Sequence, residues 1–132
     1  MLFRSPETQA CPLFVPLAEE GWVSGDVPTA IATTYLEPIK RSNVDTLILG
    51  CTHYPLLKSI LRQVLGSNVS LVDSGEATAT VVNSVLSKNN IVSNDNPGDI
   101  HCYVTDSRDS FEALAGRFVH ANISEITHVD IS

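Results

Sequence analysis

Positive charge is scarce in this chain. Of 132 residues only 8 are Lys or Arg, against 15 Asp or Glu, a formal net charge of −7. The basic residues are scattered, so nothing is built to neutralise a row of phosphates. This argues against binding to nucleic acid or to an anionic membrane. No apolar run reaches the roughly 18 residues of a membrane helix. The start, Met-Leu-Phe-Arg-Ser-Pro-Glu, is too short and polar to read as a secretory signal. Three cysteines without a Cys-x-x-Cys pair suggest neither a disulfide frame nor a zinc site. His101, His120 and His128 also lack metal-ligand spacing. There is no Gly-x-Gly-x-x-Gly, no phosphate-binding loop and no lysine context for pyridoxal, so neither cofactor nor metal is expected. What is present is 43% apolar and 17% charged, enough for one packed core. A soluble, acidic protein of a reducing compartment, the cytoplasm, is the expectation.

The apolar pattern alternates between short runs and longer amphipathic stretches. Val44 to Gly50 predicts a strand, and its unbroken Thr-Leu-Ile-Leu suggests burial on both faces. From Pro55 to Leu65, apolar residues recur at spacings of three and four, which predicts a helix that Gly66 ends. Val69 to Val72 reads as a second strand. Asp73, Ser74 and Glu76 then open a helix to about Lys88. Asn89 to Gly98 reads as a loop, Ile100 to Thr105 as a third strand, and Ser110 to Val119 as a helix. Upstream, Val27, Ala30, Ile31, Thr34, Tyr35 and Ile39 share one face of a helix that Asp26 could cap. Such alternation predicts an α/β fold with a largely parallel sheet. Right-handed crossovers then gather the strand-to-helix turns on one sheet edge, where ligands bind.

Those turns carry the unusual polar residues: Gly50-Cys51-Thr52-His53, Asp73-Ser74-Gly75 and Thr105-Asp106-Ser107. Cys51 stands between the end of a strand and the start of a helix, where the helix dipole and unpaired N–H groups favour a thiolate. Gly50 permits a tight turn and close approach to a ligand. Thr52 offers a hydroxyl and an N–H to a carboxylate, and His53 can carry a proton near neutral pH. Asp73 and Ser74 are explained by helix capping, Cys11 and Cys102 by packing, and Trp22 by partial burial in a loop.

The stretch Leu47-Ile48-Leu49-Gly50-Cys51-Thr52-His53-Tyr54-Pro55-Leu56-Leu57 resembles the second catalytic-cysteine motif of the glutamate racemases, in the aspartate/glutamate racemase family. Ala10-Cys11-Pro12-Leu13-Phe14-Val15-Pro16-Leu17-Ala18-Glu19, Val72-Asp73-Ser74, Tyr103-Val104-Thr105-Asp106 and Ile126-Thr127-His128-Val129-Asp130-Ile131 are similar in order and spacing. The resemblance implies cofactor-independent interconversion of L- and D-glutamate, supplying D-glutamate for peptidoglycan. It implies a parallel-sheet, three-layer α/β domain of a two-domain fold. Two cysteines act on opposite faces of the substrate's α-carbon, one as thiolate and one as thiol. On that template Cys51 is one of the pair, His53 assists proton transfer, Glu19 partners His53, and Thr52 holds the substrate.

Family members are about twice as long, and the residues that match their first half, including the other catalytic cysteine, are not in this chain. Residues 1–99 are therefore expected to be the second catalytic domain with an incomplete start. Residues 100–132 are expected to return to the absent first domain. With a single motif cysteine the isolated chain should not racemise. The partners implied are glutamate and the missing N-terminal half, while the oligomeric state, a homodimer included, stays open. Two competing readings are a single-thiol enzyme of the same fold and a non-catalytic or split-protein module that acts by binding a complementary half.

Overall fold

The computed structural model describes residues 7–92, 98–119 and 122–131, which fall into two compact units, Met1–Val85 and Leu86–Ser132. In chain order the first unit holds α1 (Phe14–Glu19), α2 (Asp26–Arg41), β1 (Thr46–Leu49), a 3-10 turn (Tyr54–Leu57), α3 (Lys58–Leu65) and β2 (Ser70–Asp73). The helix α4 (Ser74–Lys88) begins there. The second holds β3 (Ile100–Val104), α5 (Arg108–Phe118) and β4 (Ile123–His128). The α/β class with parallel strands is as the sequence predicts.

In the first unit β1 and β2 pair in parallel, from Thr46 opposite Ser70 to Leu49 opposite Asp73. Their C-terminal ends are level, so the turns that follow them lie side by side. One core joins the helices to one face of this pair: Phe14 and Leu17 from α1, Ala32, Leu36 and Ile39 from α2, Leu49 from β1, and Leu57, Ile60 and Leu61 beyond it. Spacings of three and four bring Leu36 and Ile39, and Ile60 and Leu61, onto inward faces. Gly66 ends α3 at φ +85°, a conformation that glycine adopts without the strain of a side chain. The helix predicted from Pro55 opens instead as a 3-10 turn, in which the Tyr54 N–H donates to the Cys51 carbonyl at 3.3 Å and that of Leu56 to His53 at 3.1 Å.

Burial of β1 on both faces is not what the structure has. Leu47 and Leu49 face the core, but Ile48 is 74% exposed, and Val72 beside it on β2 is exposed too. The helices that contribute to the core cover one face, and α4 buries none of its own residues. The Asp26 cap is also corrected: Gly25 is the capping residue of α2, without a side-chain bond, and Asp26 lies in the first turn, where its charge suits the dipole.

In the second unit β3 and β4 form their own parallel pair, with an irregularity between Ile100 and His101. The two strand pairs are separate sheets, so the Thr105–Ser107 turn does not share the edge of the first. Ser107 caps α5 by accepting the Ser110 N–H at 3.3 Å, as its position before that helix suggests. Val104, Ala115 and Ile126 are buried, while Tyr103 is 69% exposed. The loop read at Asn89–Gly98 lies outside the described residues over 93–97, as does His120. Among the described residues no helix is long and apolar enough to cross a membrane.

Candidate active site

The first turn after β1 is anchored from two sides. Tyr54 presents its ring edge-on to Phe14, centroids 5.3 Å apart, and its hydroxyl donates to the Cys11 carbonyl at 3.3 Å. Phe14 in turn meets Tyr35 of α2 edge-on at 5.4 Å. Edge-to-face pairs of this kind add about 0.5–1.5 kcal/mol each beyond their buried area. The Gly-Cys-Thr-His turn is thereby tied to α1, whose last residue is Glu19.

That tie brings sequence-distant groups together. The His53 Nε2 lies 3.5 Å from Glu19 Oε1, and its Nδ1 lies 3.3 Å from the Thr52 hydroxyl oxygen. His53 is partly buried and Glu19 about half exposed. Cys51, a free thiol, is half-buried and opens the same turn. The four residues Glu19, Cys51, Thr52 and His53 thus occupy one end of β1. A partly exposed thiol and an imidazole oriented by a carboxylate are the components of acid/base chemistry at carbon.

Gly50 does not bear out the tight-turn expectation. It has no left-handed φ, and an added Cβ would face open space. The backbone there makes no demand for glycine.

The neighbouring turn after β2 is a structural clamp. Asp73 is buried; its Oδ1 accepts the Glu76 N–H at 2.7 Å and its Oδ2 is ion-paired with Lys58. Lys58 also donates to Glu76 at 2.8 Å. The backbone N–H of Glu76 and then Lys58 hold the Asp73 carboxyl below its ordinary range, and the two acidic partners raise Lys58. Capping by Asp73 was readable from its place before α4; the Lys58 partner was not, although a Lys opening α3 beside that strand end is the signal for it.

Cys11 and Cys102 lie outside the Gly-Cys-Thr-His turn. Cys11 is 5% exposed, its thiol directed to the Gln9 carbonyl at 3.7 Å, and burial raises its pKa. Cys102 is half-buried within β3. Trp22, expected to be partly buried, is 53% exposed. His101 lies 3.3 Å from Glu125 across the second sheet, and both are exposed. No group of three or more potential metal ligands occurs among the described residues.

No family model matches the chain. Curated relatives do: a glutamate racemase of Geobacter metallireducens is 42% identical over 125 residues, 94% of this chain and 46% of the relative. One of Mycobacterium ulcerans is 46% identical over 112 residues, 83% of this chain and 41% of the relative. Solved structures agree. The glutamate racemase of Thermus thermophilus, in complex with β-chloro-D-alanine, superposes with a TM-score of 0.79 at 38% identity, covering 93% of this chain and 47% of that one. That of Francisella tularensis, in complex with D-glutamate, gives 0.77 at 32% identity, over 91% and 45%.

Proposed function

Because this chain belongs to the glutamate racemase family and spans about half the length of the curated relatives it matches, we propose that it supplies one acid/base face of a racemase whose other face comes from a complementary N-terminal half. The observation that carries this reading is the Glu19–His53 contact beside the partly exposed Cys51. The substrate is glutamate, and the D-isomer serves peptidoglycan synthesis in the cytoplasm. A thiolate of the complementary half takes the α-proton from one face, and the Cys51 thiol gives its proton to the other. One S–H bond forms and one breaks, so charge on the substrate returns to its starting value; in the reverse direction the roles exchange. His53 passes a proton to or from Cys51, Glu19 keeps its imidazole oriented, and Thr52 meets a substrate carboxylate. A thiolate is a weak base for a carbon acid, so exclusion of water by the second half and charge stabilisation in the closed site supply much of the rate.

The chain alone has one face and does not racemise. Co-expressing it with the unmatched portion of a full-length relative, and following the circular dichroism of D-glutamate, tests this. Signal is lost with both parts and retained with either alone. His53→Asn slows the assembled enzyme roughly 10²–10⁴-fold, the usual contribution of a positioned acid/base. Turnover by the chain alone at ordinary rates would refute the one-face reading.

A second reading has its own support. Ile48, Val72, Val81, Val82 and Val85 are exposed apolar residues of one unit, the kind of surface that binds a partner. A module that binds a complementary half without catalysis would keep that binding and show no dependence on Cys51.

A further inference from the structure

We propose that binding of glutamate at Thr52 draws a proton from solvent onto His53, so that the substrate itself loads the acid of this face. The proposal rests on the reading that Thr52 meets a substrate carboxylate, and goes beyond it by coupling that contact to proton uptake.

Each ring nitrogen of His53 faces an oxygen: Nε2 lies 3.5 Å from Glu19 Oε1, and Nδ1 lies 3.3 Å from the Thr52 hydroxyl oxygen. An ionised carboxylate only accepts, so the Glu19 contact asks for a hydrogen on Nε2. A neutral imidazole has one N–H, which makes Nδ1 an acceptor. The Thr52 hydroxyl has one hydrogen to give, and in the free chain it goes to Nδ1. Thr52 is exposed, so a ligand can reach this hydroxyl.

A substrate carboxylate has no hydrogen to offer either. It binds Thr52 by taking the hydroxyl's hydrogen, which leaves only lone pairs turned toward Nδ1. Two acceptors 3.3 Å apart repel, and the contact is restored when Nδ1 gains a hydrogen. The ring then donates at both nitrogens, to Thr52 and to Glu19, as an imidazolium. The substrate's negative charge favours the same form. The proton comes from solvent, and no other covalent bond changes. The elements packed against the turn after His53 are α1 and α3. They carry Glu19, with Glu20 just past it, and Lys58 and Arg62; the turn itself carries Cys51 and Tyr54. Lys58 is already held by Asp73 and Glu76, and burial raises Tyr54, which keeps its hydroxyl neutral where imidazoles titrate. A neutral His53 whose one hydrogen is turned to Glu19 has none to give Cys51. The loaded ring has one.

The test uses the whole chain, ¹⁵N-labelled at histidine and assembled with the unmatched portion of the Geobacter metallireducens relative. It is run at about pH 8, where an ordinary imidazole is mostly neutral. Calorimetric titration with glutamate in two buffers of different ionisation enthalpy counts the protons taken up. Ring ¹⁵N shifts, assigned with His53→Asn, show where they go. The expected result is uptake of about one proton per glutamate bound. The ring should carry its hydrogen on Nε2 before binding and on both nitrogens after. Thr52→Val should lose most of the uptake, and Thr52→Ser, which restores the hydroxyl, should keep it. Uptake is counted per glutamate bound, so weaker binding by a variant does not imitate its loss. Uptake near zero, an Nδ1–H ring in the free protein, or full uptake in Thr52→Val overturns the proposal. An assembly that binds no glutamate fails both this proposal and the functional reading. Racemisation without proton uptake fails this proposal alone, and proton-coupled binding without racemisation fails the functional reading alone.

Discussion

Lys58, the first residue of α3, is ion-paired with the buried carboxylate of Asp73 at the end of β2. The pair joins the element that follows the Cys51 turn to the strand beside it. Because Asp73 also caps α4 through the Glu76 N–H, one carboxylate fixes three elements.

This carboxylate should set the acid limit of the fold. Its folded pKa is depressed, so its contribution is complete above the ordinary Asp value of about 3.9 and is lost as pH falls from there through the folded pKa. Thermal melts between pH 7 and pH 3 should show stability falling below about pH 4. Asp73→Asn should lower the Tm at pH 7 by roughly 5 °C or more and flatten that acid dependence. An unchanged acid slope in the variant would show that other carboxylates govern it.

Glycines at two turns should behave oppositely. Gly66 sits at φ +85° and ψ 175°, a region that only glycine visits readily, so Gly66→Ala should cost about 1–3 kcal/mol in urea unfolding. Gly50→Ala meets open space and no such φ, and should change stability by less than about 0.5 kcal/mol. Equal losses at both positions would contradict the backbone geometry.

Much of this architecture is legible in the sequence, and the failures have physical reasons. Thr46–Leu49, Ser70–Asp73 and Ile100–Val104 stand out as apolar runs, and α2, α3, α4 and α5 as periodic or capped segments. The six-residue α1 is masked by Pro12 just before it and Pro16 within it, although Phe14, Leu17 and Ala18 have helical spacing and are all buried. In β4 polar Ser124, Glu125 and Thr127 dilute the alternation. Exposure of Ile48 could not be read, because it depends on what covers the sheet and not on the strand's own residues. Cys51, Thr52 and His53 were visible as neighbours. Glu19 lies 34 positions away from His53, and its approach depends on the packing of Phe14 against Tyr54. Only resemblance to a family pointed to it beforehand.

Thiol chemistry should rank the cysteines by environment. Under native conditions iodoacetamide should label Cys11 last, since burial both blocks access and raises its pKa. Cys51 and Cys102, half-buried and free, should react earlier. Peptide mass spectrometry over a time course reads the order, and early labelling of Cys11 would mean that its site opens readily.

The central claim is that Cys51 delivers or removes the α-proton of glutamate. Proton NMR of D-glutamate in D₂O measures this directly through loss of the α-hydrogen signal. With the complementary half present, the wild-type chain should wash out that signal and interconvert the isomers. Cys51→Ala, which should still bind that half, should lose interconversion and should exchange the α-hydrogen of at most the one isomer that faces the other thiol. Continued interconversion of isomers, or wash-out from both of them, by the Cys51→Ala assembly would contradict the account.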